Sequence, residues 1–535
     1  MRMVGVFAIL GLVLGLLILS HRNFYEDEWV TLNALHRPFG EMVHWSNTRD
    51  IHPPGVYALD HVVLRVTGSD RLIGVLHLLL WLAGVLVFVR AAAGFTATRF
   101  GLLVFTALAF LHPQALMWNS SLRWYPIWWG VALAMLAACL LHGRRQAPGW
   151  RIAIATGVGI ALLIWFDYLA LIFVPALGVA WLVRHGWNRA SLTQLAGAGV
   201  TALLCALPQL LRVTGELLHS GHGHMTAPVM AGLRLGHALT VGGAILPWHP
   251  VALAVTVVLF PVALVLLVRG LPDILRTQER ERPPAGRSLA ALLVFLVLMG
   301  AASVASGIGS HTYAVMGLVP ILSLFVALGA ERWRAPAWRW TASVLVALWI
   351  GTGAVNLITR SGTSKRQMND HPEQIIARLQ DLSHGEGALV ITNDMVLTFE
   401  INRRRAHGAP NLTVASCWLD RIHGRPAGLH DDPMGFPWVF EIEHPDPEHD
   451  EVGRISHQAL VEARGLIEAP RREDLGEDPD WKWKRRITGA AVESARLWAW
   501  YGAPRPGDWQ AIGRKLEEAS RQSILADAPG PGGRP

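Results

Sequence analysis

Cysteine is almost missing from this chain: Cys139, Cys205 and Cys417 are the only three in 535 residues. The first two fall inside long apolar runs, so neither a disulfide framework nor a cysteine-type zinc site can be built. The glycine signatures of nucleotide binding are absent as well. No G-x-G-x-x-G and no phosphate-cradling G-K-S or G-K-T loop occurs, and an ATP-driven mechanism therefore has no sequence support. Internal repeats are lacking. Charge is scarce: 16% of residues are charged against 52% hydrophobic, and the mean hydropathy is +0.33. A string of soluble domains is excluded by that balance, which belongs to a polytopic α-helical membrane protein.

Apolar runs of roughly 18–20 residues, enough to cross a bilayer core, recur from Met3 to Ile358, and about eleven spans are expected. The net charge of +7 and the pI near 9.7 could suit a nucleic-acid binder, so the placement of the charge decides. Arginines gather in alternate loops: Arg90 and Arg99; Arg144, Arg145 and Arg151; Arg184 and Arg189; then "RGLPDILRTQERERPPAGR" and "ERWRAPAWR". This is the positive-inside pattern. It puts the N-terminus in the cytoplasm and argues against nucleic acid as a partner. The first apolar run has no small-x-small cleavage site before "HRNFYEDE", so it reads as a retained anchor in the plasma (inner) membrane.

Residues 1–358 form the expected transmembrane domain, with an outer loop at 21–70 too long for a simple connector. Short interfacial helices are expected in it. From Thr359 onward the chain turns charged and proline-rich. "ALVIT", "DMVLTFEINRRR" and "LTVAS" read as strand, helix and strand, so 359–526 is expected to be an extracytoplasmic α/β domain, followed by a disordered tail at 527–535.

Two stretches of the first outer loop could carry chemistry. "YEDEWVTL" sets Glu26, Asp27 and Glu28 beside the anchor, either as solvated charge or as a placed base. About twenty residues later "TRDIHPPGVY" follows; Pro53 and Pro54 cannot continue a helix, so Asp50 and His52 stand at a fixed bend. An Asp-Glu pair after the first span, then Asp-x-His-Pro-Pro-x-x-Tyr, then "GSDRLIGVLHLLL" opening the next span, resembles the membrane-embedded GT-C glycosyltransferases of the protein-mannosyltransferase and aminoarabinose-transferase type. The resemblance spans most of the membrane part, and only the first loop is specific.

That resemblance implies transfer of a sugar from a polyprenyl-phosphate carrier to a lipid, glycan or protein acceptor hydroxyl, with inversion. It makes Asp27 the catalytic carboxylate and Glu28 its neighbour. Such chemistry suits the outer side, where nucleotide sugars are not available: a phosphate leaves without strong acid help, the attacking hydroxyl gains from a carboxylate base, and the charge growing on phosphate needs fixed cations. "SLRWYPIWW" offers Arg123 and Tyr125, which resemble the family's Arg-x-Tyr signature; the plain alternative is an interfacial arginine in an aromatic belt. In "HTYAVMGLVP", His311 and Tyr313 stand where the family carries Arg-Tyr, a departure at the expected cation.

"LLHSGHGHM" brings His219, His222 and His224 close in sequence, either as a divalent-metal site completed by an acid such as Asp50 or as a glycine-rich cover loop. Asp167 in "WFDYLA" reads first as a capping residue. Most of the 23 tryptophans read as helix anchors, although indole faces also stack on sugars. Two other classes stay open. A lipid-linked sugar flippase or transporter needs charged groups deep in its spans, where these have few; a non-catalytic envelope-assembly protein would leave Asp27 idle.

Overall fold

The computed structural model describes residues 2–141 and 150–219 with isolated gaps, 283–306, 316–331 and parts of 336–354. In the C-terminal part it describes 372–392, 395–406, 411–415, 438–443, 471–474 and 496–501. The chain divides into two compact units: one holds Met1–Arg22 and Val30–Lys365, the other Asn23–Trp29 and Arg366–Pro535.

The first unit is helical. Helix α1 (Arg2–His21) is apolar throughout. Three short helices then occupy the long stretch between α1 and the next apolar helix: α2 (Glu26–Leu35), α3 (Phe39–Thr48) and α4 (Pro54–Thr67). Helix α5 (Asp70–Ala92) follows, then α6 (Arg99–Leu111), the single turn and a half of α7 (Pro113–Trp118), and α8 (Tyr125–Leu136), which runs on as a π-turn over Ala137–Leu141. Next come α9 (Trp150–Phe166), α10 (Ala170–His185), α11 (Arg189–His219), α12 (Pro283–Ala305) and α13 (Leu318–Ala330).

Among the described residues, five helices are long and apolar enough to cross a membrane: α1, α5 with its short extension, α6 with α7, the part of α11 up to Arg212, and α12. Four apolar helices are shorter, at 10–17 residues. The protein is a helical membrane protein. The expected eleven spans cannot be counted through, because 220–282 lies outside the described residues.

Packing within this unit follows the distribution of small residues, which let helix backbones approach when both face apolar surroundings. Helices α5 and α8 meet at Gly84 and Gly130; a methyl group on Gly84 would fall 2.2 Å from the Gly130 carbonyl oxygen. Gly55, in the first turn of α4, approaches the end of α9 so closely that an added Cβ would sit 2.4 Å from the carbonyl of Trp165. That second contact places the His-Pro-Pro bend beside the turn after α9. Aromatic edges fill the centre: Trp128 meets Trp129 and Phe173, and Phe173 meets Phe295.

In the second unit, α14 (Pro372–Leu382), β1 (Ala388–Thr392), α15 (Met395–Ala406) and β2 (Leu412–Ala415) follow in order. Strands β3 (Trp438–Glu443), β4 (Arg471–Asp474) and β5 (Arg496–Tyr501) complete a five-stranded sheet of order β2-β1-β3-β5-β4. β1 is parallel to β2 and β3, while β5 is antiparallel to β3 and β4. Ile376, Leu379, Val390, Leu397, Ile401 and Phe440 form its apolar core. Within the same unit, Trp29 stacks on Phe399 of α15 at 5.4 Å with planes 12° apart.

Candidate functional site

Proline fixes the frame of the site. Pro53 is extended at φ −63° and ψ 156° and caps α4, whose first residue, Pro54, has no N–H to lose at a helix start. Asp50 and His52 are thereby held at the bend between α3 and α4. The backbone N–H of His52 donates to Asp50 Oδ1 at 3.2 Å, closing the bend on itself.

Arg123 reaches this bend from the stretch between α7 and α8. It is 7% exposed. Its Nη1 donates to Thr31 Oγ1 at 3.0 Å and to the Tyr57 hydroxyl at 3.1 Å, and lies 3.9 Å from Asp50 Oδ2. The Tyr57 hydroxyl in turn donates to Asp50 Oδ2. A second arginine holds the backbone of the same bend: Arg212 of α11 donates to the Asp50 carbonyl at 2.7 Å and to Asn47 Oδ1 at 3.1 Å.

The electrostatics assign these groups different roles. Burial pushes the Asp50 carboxyl up, but the Arg123 charge, His52, the Tyr57 hydroxyl and the His52 N–H together outweigh it and hold Asp50 below its usual value. Asp50 is therefore ionised and a poor proton acceptor, suited to orienting Arg123. Burial, reinforced by Asp50 and opposed by Arg123, raises Tyr57 far above the usual phenol range, so the hydroxyl keeps its proton as the donor to Asp50.

His52 makes a second pair. Its Nδ1 lies 2.7 Å from Asp167 Oδ2, while Asp167 Oδ1 accepts from the N–H of Leu169 at 2.8 Å. The capping expected of Asp167 is present, and the other oxygen of the same carboxylate orients His52. Thr31, His52, Pro53, Val56, Tyr57, Leu122, Arg123, Trp124 and Phe166 line a narrow cleft. Trp124 is 5% exposed, and its indole N–H has no partner among the described residues. Arg123 and Trp124 thus line one cleft, and a guanidinium beside a neutral donor is a combination suited to an anion.

The structure brings Asp50, His52 and Arg123 together. Tyr125 is buried beside them, edge-on to Trp118 and Trp124, and does not line the cleft. Asp27 and Glu28 belong to the second unit, in the first turn of α2; Asp27 is half-buried and Glu28 is 0% exposed. Four residues beyond Asp27 on the same helix stands Thr31. His311, Tyr313, His222 and His224 lie outside the described residues, and among those described no three His, Cys, Asp or Glu side chains gather as a metal site. Thr31, Tyr57 and Trp124 have no place in the sequence reading as site residues. Only Tyr57 had a signal, as the last position of the Asp-x-His-Pro-Pro-x-x-Tyr pattern.

Neither family models nor curated protein sequences match this chain. Solved structures do. ArnT from Cupriavidus metallidurans in the apo state is similar at a TM-score of 0.55 and 13% identity, over 93% of this chain and 97% of that one. The same ArnT bound to undecaprenyl phosphate gives a TM-score of 0.49 at 13% identity, over 93% and 97%. The arabinofuranosyltransferase AftD from Mycobacteria gives 0.45 at 13% identity, over 95% of this chain and 42% of that chain. With the apo ArnT likeness running through nearly the whole of both chains, this protein shares the fold of that structure.

Proposed function

We propose that the protein is an inverting glycosyltransferase that moves a sugar from a polyprenyl-phosphate carrier to an acceptor hydroxyl on the extracytoplasmic side of the plasma membrane. One observation carries this reading: a buried arginine, held by Thr31 and Tyr57 and oriented by an ionised Asp50, lines a cleft at the bend of the first outer loop. Fixed donors of this kind act on charge that grows in the transition state, here on the departing phosphate. Of the GT-C neighbours, ArnT has been solved with undecaprenyl phosphate.

The acceptor oxygen attacks the anomeric carbon as the bond from that carbon to the phosphate oxygen breaks, its electron pair going to the phosphate. Asp27 takes the hydroxyl proton, with Glu28 beside it. Arg123 holds the phosphate, with the Trp124 N–H as a neutral donor, and Asp50 and His52 keep the bend in place. His311 and Tyr313 are further contacts for the carrier; a divalent metal at His222 and His224 is not required by this scheme. The segment after Thr359 is extracytoplasmic, and the acceptor is a lipid, a glycan or a protein.

Incubating the purified protein with a panel of polyprenyl-phosphate sugars and following polyprenyl-phosphate release tests the reaction. Release from one donor, raised by a matching acceptor, is expected; a protein that binds these lipids yet releases nothing across the panel is a transporter or assembly factor. Topology has its own check. Cysteines introduced at His36 and Gly476 are expected to react with an impermeant reagent from outside and one at Gln278 to be protected, whereas labelling at Gln278 alone reverses the orientation and removes Asp27 from the chemistry.

A further inference from the structure

A second polar cluster touches the stretch that delivers Arg123, and the scheme above does not use it. Asp60 in α4 and His77 in α5 are both 0% exposed, with Asp60 Oδ1 2.8 Å from His77 Nε2. The other ring nitrogen, His77 Nδ1, lies 2.5 Å from the carbonyl oxygen of Ser121. A carbonyl only accepts, so Nδ1 carries a hydrogen. One proton is then shared between Nε2 and the Asp60 carboxyl, as imidazolium with carboxylate or as imidazole with carboxylic acid. Both forms leave the pair with no net charge, as its burial requires.

The placement of this pair is what points to a role. Ser121 stands two residues before Arg123, and the neighbouring Ser120 carbonyl accepts from Arg22 Nη2 at 2.8 Å. Successive carbonyls of the stretch that delivers Arg123 are thus gripped by buried donors. Asp60 also lies one turn after Tyr57 on α4, and Tyr57 accepts from the Arg123 side chain. Helix α4 therefore holds Arg123 twice: directly through Tyr57, and through Asp60 and His77 at its backbone. An apolar pair of similar volume would fill the same space without the polar burial, so packing alone does not account for an Asp and a His here.

We infer that Asp60 and His77 are positioning residues that set the Arg123 guanidinium for the phosphate of the carrier lipid. The inference rests on the reading of Arg123 given above. Breaking the bridge lets the 119–123 stretch relax and weakens the hold on phosphate while leaving the hold on the isoprenoid chain.

The test measures binding of undecaprenyl phosphate and of neutral undecaprenol to the full-length protein. Asp60→Ala is expected to weaken the phosphate lipid about tenfold, within the range of coupling between contacting residues, and to leave undecaprenol within about twofold. Asp60→Asn keeps the bridge, because its amide can donate to Nε2 while Nδ1–H stays on Ser121, and should bind both lipids nearly as the parent does. Adding Asp60→Ala to Arg123→Ala should cost nothing beyond Arg123→Ala alone. Equal weakening of both lipids, a full extra loss in the double variant, or a loss in Asp60→Asn as large as in Asp60→Ala overturns the inference. If Asp60→Ala fails to accumulate, His77→Gln is measured in its place, since it can reach Ser121 or Asp60 but not bridge them, and the same outcomes decide. Should Arg123→Ala by itself keep the preference for phosphate over alcohol, the phosphate reading fails, and that result is visible without the Asp60 series.

Discussion

Asp27→Asn is expected to bind the donor lipid and to turn it over at least about 10²-fold more slowly, the lower part of the range for a general base. The amide matches the carboxylate in size but cannot take up the acceptor proton. Glu28→Gln should be milder, because a neighbour that shapes the local field is not the atom that receives the proton. A competing account has to be met. Glu26, Asp27 and Glu28 occupy the first turn of α2, where negative side chains stabilise a helix by about 0.3–1 kcal/mol through the exposed N–H groups. If that were their whole role, Asp27→Asn would lower the melting temperature slightly and leave saturated turnover untouched. Measuring both quantities on one preparation separates the two accounts, and turnover equal to the parent's returns the three acids to the helix end.

The Arg123 series should show a graded loss. Arg123→Lys keeps a positive charge but loses the planar fork that grips two phosphate oxygens at once, so part of the activity should remain. Arg123→Ala should lose at least about 10²-fold, comparable to removing one fixed donor from a transition-state oxyanion. The alanine protein also leaves Asp50 buried without its cation, and stability must therefore be read alongside activity. If the alanine protein does not accumulate, the lysine protein carries the test: activity equal to the parent's would mean that Arg123 anchors a helix end, and the phosphate contact would move to Arg212, Arg234 or His311.

The bend at Asp50 and His52 is legible in the sequence alone, because two prolines in a row restrict the backbone whatever surrounds them. The short helices between residues 21 and 70 are legible for a similar reason, since a loop of about fifty residues rarely stays without structure. Their partners are not. His52 meets Asp167 across 115 residues, Arg123 meets Thr31 across 92, and His77 meets Asp60 and Ser121 from within "LIGVLHLLL". Such pairings leave no periodic trace; they arise from where helices cross, and a glycine such as Gly55 sets the crossing without announcing its neighbour. Asp167 shows the limit most clearly. Its capping oxygen follows from the local turn, whereas the oxygen on His52 follows only from the approach of α4 to α9. Length misleads in a different way: α9, α10 and α13 are apolar but shorter than the roughly 18 residues that mark a span in sequence.

The seven residues Asn23–Trp29 belong with the last third of the chain, Arg366–Pro535, Trp29 lying flat on Phe399, although they follow directly on the first helix. This limits how the protein can be taken apart, in the laboratory or in evolution. A chain cut short near residue 365 would strip the indole of its partner while retaining the acids beside it. Exchange of residues 366–535 for another sequence would have to bring a matching 23–29 ribbon with it. Two distant stretches of sequence thereby fold as one body, and a change at Phe399 is answerable at Trp29.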